Sequence, residues 1–392
     1  MNETISSDVL QEAKDIQEWV ISLRKKFHRH PELSNEEYWT SGVVAEELEK
    51  LGIKTERVGE TGIIGVLEGK NRDKIIALRA DMDALPVLEQ TGLPFASEYP
   101  GKMHACGHDN HMSMLLGAAR LLSERKDQLN GTVKFLFQPA EEVAEGAKRL
   151  IEAGALDDVD YCIGTHIWSD IPVGQVVMPK GPFMASGDTW DLSIKGASSH
   201  GSAPWQGRDA IVCAAAIIQG LQTIPSRIND VRSPIVLNIG TITGGERFNI
   251  TPGNAKLDGM NRTFDAKIRK RLPEHMERVI KNICAGYDCE YEFNYHFKTG
   301  VTANESKHTE LAQQAVRKIV GPDNLVPWEK IMGSEDFSAY GEVVPSTFML
   351  LGCRNEEKDC IYSQHSERYN VDEDALPIGV ASFVQIVEEY FA

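Results

Sequence analysis

The run Met103-His104-Ala105-Cys106-Gly107-His108-Asp109-Asn110-His111 puts three histidines, a cysteine and an aspartate into eight positions, just ahead of a helical pattern. Nitrogen, sulfur and oxygen donors at that density suit a transition metal. A lone cysteine is ordinarily packing and a lone histidine an ordinary hydrogen-bonded group, but clustering takes weight from both readings. A second donor pair lies where the strand-like Phe135-Leu136-Phe137-Gln138 passes through Pro139-Ala140 into Glu141-Glu142. Neighbours on an extended chain point to opposite sides, whereas a turn after proline lets both carboxylates converge on one cleft. One could bind metal while the other handles protons. The plainer alternative is that Glu141, Glu142 and Glu145 open a helix, whose dipole favours acids at its start. The apolar strand Tyr161–Thr165 runs into His166, which places an imidazole at a strand end. Asp81 and Asp83 follow the strand Ile75–Arg79 and could ligate metal directly or hydrogen-bond a ligating histidine. Gln364-His365-Ser366 adds a late histidine that is unremarkable alone.

The elements that must position these groups alternate. Apolar residues at helical spacing (Val9, Leu10, Ala13, Ile16, Trp19, Val20, Leu23) predict an opening helix over 8–28, which His30-Pro31 ends. Strand-like runs at Ile63–Leu67, Ile75–Arg79, Val133–Phe137 and Tyr161–His166 are separated by helical stretches near 109–124 and 143–152. This is the pattern of an α/β domain with a mixed, mostly parallel sheet and helices on both faces, where reactive residues sit beyond the carboxyl ends of strands. Near 183 the texture changes. Strands at Thr189–Ile194, Ile235–Ile242, Ala255–Phe264 and Tyr291–Phe297, with helices at Asp209–Ile224 and 266–286, predict a compact α+β unit. We therefore expect 183–298 to be inserted into a domain made of 1–182 and 299–392, completed by a helix at 306–320, the strand Thr347–Leu351 and a helix at 374–391.

Composition narrows the functional classes. With 392 residues, 42% of them hydrophobic, the chain can bury two cores. The net charge of −17 disfavours nucleic acid and anionic membranes as partners and leaves a small-molecule substrate open. The first twenty residues carry Glu3, Asp8, Glu12, Asp15 and Glu18 without a greasy core, unlike a signal peptide, and apolar runs such as Ala210–Ile218 fall short of a bilayer span. Seven scattered cysteines are no secreted disulfide framework. A reduced, cytoplasmic location is the expectation.

In combination, RADMDALP, MHACGHDNHM, FQPAEE, GTHIW, the opening FHRHPELSNEE and the late QHS resemble the aminoacylase and carboxypeptidase family of dinuclear metallohydrolases. The likeness is to the branch of hippurate hydrolases, indole-acetyl-amino-acid hydrolases and N-acyl-amino-acid deacetylases, and it runs in order from residue 28 to 366. The resemblance implies a zinc-exopeptidase-like catalytic domain and an inserted lid or dimerisation domain. It implies Cys106, His108, Glu142, His166 and His365 as ligands of two divalent ions, manganese or zinc, with cobalt or nickel also open. Glu141 matches the general base and acid, and Asp83 the acid that orients a ligand. His200, in Ser198-Ser199-His200-Gly201, matches the histidine that stabilises the oxyanion, in dimeric relatives from the partner subunit. Asn249 and Arg262 match binders of the substrate's carboxylate. Relatives often carry histidine after the following proline, where this chain has Trp205. The acids of Gly333-Ser334-Glu335-Asp336-Phe337 line the family's cleft and receive no role.

The activity implied is metal-dependent cleavage of N-acyl amino acids or small peptides by a homodimer or larger homo-oligomer. Two other readings of the residues stay open here: Cys106 as a nucleophile activated by His108 or His166, and a non-catalytic protein that binds metal or peptide.

Overall fold

The computed structural model describes residues 7–392; the first six, including Glu3, lie outside the described residues. It divides into two compact units, Met1–Gly181 with Ala303–Glu329 and Asp336–Ala392, and Pro182–Thr302 with Lys330–Glu335. The short return Lys330–Glu335 joins the second unit through its backbone, since Ile331 donates to Phe183 at 2.8 Å and accepts from Ala185 at 3.0 Å. Nothing in its side-chain pattern marks that exchange.

The first unit is built on a seven-stranded sheet in the order Lys54–Val58, Gly62–Glu68, Thr132–Gln138, Ile75–Asp81, Tyr161–Pro172, Ser346–Arg354, Val176–Val177. Its four inner strands run parallel and the strands outside them are antiparallel. Ile75–Asp81 and Thr132–Gln138 are buried along almost their whole length, which is why, apart from Arg79, Asp81 and Lys134, they read as mostly apolar rather than alternating. The expected opening helix is two, Ser7–Asp15 and Gln17–Arg29, parted at Ile16 by a tight turn in which Trp19 donates to the Ile16 carbonyl. Val9, Ala13, Val20, Leu23 and Phe27 still reach one core, so the apolar spacing survives the break.

Parallel register aligns the carboxyl ends of the inner strands. Asp81 pairs with Gln138, and Arg79 pairs with Gly164, two residues before His166. His166 is not a strand end: its strand continues to Pro172, still laddered to Ser346–Arg354 on one side. On the other side the neighbouring strand stops at Asp81, and that step opens the edge of His166.

The second unit is a four-stranded antiparallel sheet, Ile235–Gly244, Asn254–Thr263, Gly187–Lys195, Glu290–Thr299, with the helices Ala210–Leu221 and Ala266–Gly286 on its apolar face. Gly187–Lys195 alternates as one-sided burial requires, and Trp190, Leu192 and Ile194 meet Ile217, Met276 and Ile280. Asp209 and Asp265 cap the two helices, each accepting two backbone N–H groups. The first helix continues as a π-turn at Ile224–Ile228, so the helical stretch Ala210–Ile228 reaches 19 residues. By length and composition that is enough to span a bilayer, contrary to the expectation from Ala210–Ile218. Here Cys213, Ala214, Ile217, Leu221 and Ile224 are buried in the unit's own core.

Candidate metal centre

All five expected ligands belong to the first unit and converge at the carboxyl ends of its parallel strands. The donor atoms of Cys106, His108 and His166 lie within 4.8 Å of one another, as do those of Cys106, Glu142 and His365, and of His108, Glu141 and Glu142. Cys106 Sγ is 3.4 Å from His166 Nε2, and Glu142 Oε1 is 3.5 Å from His365 Nε2 and 4.0 Å from His108 Nε2. His108 begins the helix His108–Glu124 after Gly107, whose φ of 96° lies in the left-handed region and lets the chain swing the two donors into one cleft.

Each donor is held from behind. The His166 ring donates from Nδ1 to its neighbour's carbonyl, Ile167 O, at 2.6 Å, leaving Nε2 free to face Cys106. Asp83 is buried, sits 3.3 Å from His108 Nδ1, and accepts from the backbone N–H groups of Glu141 at 3.1 Å and Glu142 at 3.0 Å. One carboxylate thus faces the His108 ring and anchors the turn that carries the two glutamates. His365 has a positive φ of 68° and is tied by its own N–H to the Ala105 carbonyl at 2.8 Å, so the late histidine is docked on the first donor run. Glu141 and Glu142 do not open a helix. That helix starts at Gly146, and the two acids occupy the turn before it.

The charge balance at the centre calls for cations. Burial alone would lower the His108 imidazole, but Asp81, Asp83 and Glu142 outweigh it and raise it to about 10. Burial and the charges of Glu142, Glu141 and Asp81 push the Cys106 thiol well up, and burial together with His111 pushes His166 well down. His108 Nε2 and Glu142 Oε1 are buried without a well-formed hydrogen bond among the described residues. Sulfur, imidazole and carboxylate donors with orphaned atoms facing one another fit two divalent ions. The same electrostatics weaken the reading of Cys106 as a nucleophile activated by His166: the surrounding carboxylates favour the neutral thiol, and the lowered imidazole of His166 is a poor proton acceptor.

Asp81 is otherwise engaged. Arg79 donates to its Oδ2 at 2.6 Å and His111 Nδ1 to its Oδ1 at 2.5 Å, while the Ile167 N–H donates to His111 Nε2 at 2.8 Å. His111, part of the donor run but without a role in the sequence reading, is a brace between two strands. Asp336 also acquires a place, accepting from Arg79 and from Gln138 at 2.9 Å and from the Ala147 N–H at 3.1 Å. The buried Arg79, which neutralises both aspartates, was invisible as an isolated letter within an apolar strand.

In the second unit, His200 lies on the two-residue strand Ser199–His200, paired with Ile250–Thr251. Its Nδ1 accepts from the Ser202 N–H at 3.1 Å, and the ring is exposed. Asn249 is adjacent, its carbonyl accepting from the Gly201 N–H at 2.8 Å. Arg262 is elsewhere. The ladder from Asn254↔Lys195 continues outward through Gly196 and Gly253 to this ribbon, whereas Arg262 lies near the opposite end of Asn254–Thr263, facing Val236. Eight residue steps along the strand separate Asn254 from Arg262, about 26 Å. The expected pair therefore does not meet within one subunit. Arg262 has a buried Nη1 without a hydrogen-bond partner among the described residues, and its Nε donates to the Met260 sulfur at 3.4 Å.

Comparison with known proteins places this arrangement in a family. A thermostable carboxypeptidase of Saccharolobus solfataricus is 39% identical over 392 residues, covering 99% of this chain and 98% of that protein. An N-acetylcysteine deacetylase of Bacillus subtilis is 38% identical over 94% of this chain and 95% of its own. Among solved structures, a Bacillus subtilis protein described as a dinuclear metal binding peptidase aligns with a TM-score of 0.84 and 35% identity, over 96% of this chain and 99% of that one. Residues 77–389 match the model of peptidase family M20/M25/M40, spanning every converging donor from Asp83 to His365, and the chain belongs to that family.

Proposed function

We propose that the protein is a metal-dependent amidohydrolase that cleaves N-acyl amino acids, or small peptides with a free carboxylate, into a carboxylic acid and an amine. The observation that carries this reading is the convergence of five donors, Cys106, His108 and His166 buried, Glu142 half-buried and His365 exposed, on a cleft that also holds Glu141, a carboxylate outside the five. Cys106, His108, Glu142, His166 and His365 would hold two divalent ions, zinc or manganese, which when bound supply Lewis-acid polarisation and a more acidic water. Glu141 takes a proton from the attacking water and returns it to the departing amine nitrogen, so that the C–N bond breaks as the acid forms. Asp83 keeps His108 and the Glu141-Glu142 turn in register.

His200, Asn249 and Arg262 complete the reading. His200 donates to the developing oxyanion, and Asn249 and Arg262 bind the carboxylate, Arg262 through its planar fork. Their separation within one chain favours assembly from two: the ribbon of His200 and Asn249 from one subunit, Arg262 from another. A homodimer is also favoured by the sheet edge Ile235–Gly244, where Ile242 is exposed, and by the outward Ile211 and Val212 of the neighbouring helix. The acidic surface and seven free cysteines agree with a reduced, cytoplasmic location and no nucleic-acid partner. The test is a side-by-side assay of metal-loaded protein on hippurate, N-acetyl amino acids, indole-acetyl amino acids and dipeptides. Turnover of at least one class, lost on chelation, is expected; metal binding without turnover of any would reduce the protein to a binding scaffold.

A further inference from the structure

The turn that carries the base is unusual in its anchoring. Three consecutive backbone N–H groups, of Ala140, Glu141 and Glu142, are each taken by a side-chain carboxylate: the first by Glu37 Oε1 at 2.8 Å, the other two by Asp83. Ala140 has φ of 55°, a left-handed conformation that a residue with a Cβ adopts only when its surroundings impose it. The loop is closed tightly behind it. Gly146 donates to the Ala140 carbonyl, and a Cβ at Gly146 would lie 1.6 Å from the Pro139 oxygen.

Glu37 is placed where its side chain would ordinarily serve another purpose. It precedes the helix Tyr38–Lys50 in the N-cap position, yet makes no cap hydrogen bond. The N–H groups of Trp39 and Thr40 are taken by Glu32 instead, at 3.1 and 2.8 Å. Glu37 turns inward, fully buried, with Thr61 donating to its second oxygen at 3.1 Å. Burial and the nearby charge of Asp83 push its carboxyl up to about 7. A carboxylate withdrawn from its own helix and desolvated beside another acid is a costly arrangement, and besides the Thr61 hydroxyl its return is the hydrogen bond to the residue before Glu141.

We propose that Glu37 is a positioning residue for hydrolysis: by holding the Ala140 N–H it fixes the left-handed turn that aims Glu141 into the cleft. The proposal rests on the reading of Glu141 as the base. It says that Glu37 acts as a hydrogen-bond acceptor rather than as a charge.

The test compares Glu37→Leu, which fills the site without an acceptor, with Glu37→Gln, which keeps a carbonyl for Ala140 and an amide for Thr61. For Glu37→Leu the expected result is a tenfold or larger fall in kcat, with KM and bound metal within about twofold of wild type. Glu37→Gln should recover most of that loss. Hydrogen exchange read on peptides spanning 138–145 should quicken in Glu37→Leu and not in Glu37→Gln. A double-mutant cycle separates positioning from general damage, because Glu37→Leu should cost little in a Glu141→Gln background if it works through Glu141. Unchanged exchange in Glu37→Leu, equal kcat losses for Leu and Gln, or a full tenfold cost retained in the Glu141→Gln background would each overturn the proposal. Should Glu37→Leu lose its cooperative melt, Thr61→Val removes the second anchor alone and is expected to lower kcat two- to fivefold with faster exchange at 138–145; no change in either overturns the proposal equally. If Glu141→Gln proves fully active, the base assignment fails, and the exchange measurement still decides whether Glu37 holds the turn.

Discussion

The two units arrange the residues proposed for function in opposite ways. In the first, donors drawn from positions 106 to 365 meet in groups of three within 4.8 Å, most of them buried and backed by a second group: His108 by Asp83, His166 by the Ile167 carbonyl, the glutamate turn by Asp83 and Glu37. In the second, His200, Asn249 and Arg262 come from a much shorter stretch of chain, yet His200 and Asn249 belong to a two-stranded ribbon beyond one end of the four-stranded sheet and Arg262 lies near the other end, with the His200 ring and Asn249 exposed. Sequence proximity is therefore a poor guide to which residues act together, and parallel-strand register a good one. A site that is complete within one unit should fail locally when altered, and residues divided along a sheet should fail in ways that reveal a second subunit.

The largest effect should come from the complete site. Glu141→Gln is expected to lower turnover by about 10²–10⁴ with metal content unchanged by elemental analysis. Loss of metal in this variant and its retention in Glu142→Gln would reverse the roles of the adjacent glutamates. Next is His200→Ala, expected to cost on the order of 10²–10³ in kcat with metal retained. After verified subunit exchange, equal parts of His200→Ala and Glu141→Gln should recover about a quarter of wild-type activity, because half of the randomly formed dimers are mixed and each rebuilds one of two sites. Activity remaining at the parental level would put His200 within its own chain's site, or outside the chemistry, and remove the contrast between the units.

Arg262→Ala should act more weakly and selectively. Loss of a charge-assisted pair to a carboxylate is worth about 1.5–3 kcal/mol, roughly ten- to a hundredfold in kcat/KM for free-acid substrates, with little change for the C-terminal amides. An equal penalty on both would make Arg262 structural. At the small end, Trp205 is 77% exposed, and Trp205→His should move stability by less than about 0.5 kcal/mol in denaturant titration. A larger shift would mean that this aromatic is covered in the assembled protein.

The motifs carried most of the first unit because strand ends and donor runs coincide there: Asp81, Glu141 and the run from His104 to His111 all fall where an apolar stretch gives way to polar residues. What they did not carry was partnership across the sheet. Arg79 reads as one charge in an apolar strand; its tie to Asp81 runs along that same strand, but Gln138 comes beside it only through parallel register and Asp336 only through the fold of a distant loop. Glu37 reads as one acid in a polar loop, since a hydrogen bond to a backbone N–H a hundred residues away leaves no trace in side-chain types. The strand through His166 was cut short because the polar residues beyond it look like a turn, whereas pairing with Ser346–Arg354 keeps them extended. The supposed neighbourhood of Asn249 and Arg262 failed for a related reason: adjacent segments of an antiparallel sheet can put nearby residues at opposite ends of a strand.

The decisive experiment is a metal titration of chelated wild-type protein, following bound metal by elemental analysis and hydrolysis of the best substrate in the same samples. Binding that saturates at two equivalents of zinc or manganese per chain, with activity absent in the metal-free protein and regained in step with loading, is the expected result. Full turnover in metal-free protein, or saturation at fewer than two equivalents, would contradict the assignment of Cys106, His108, Glu142, His166 and His365 to a dinuclear centre.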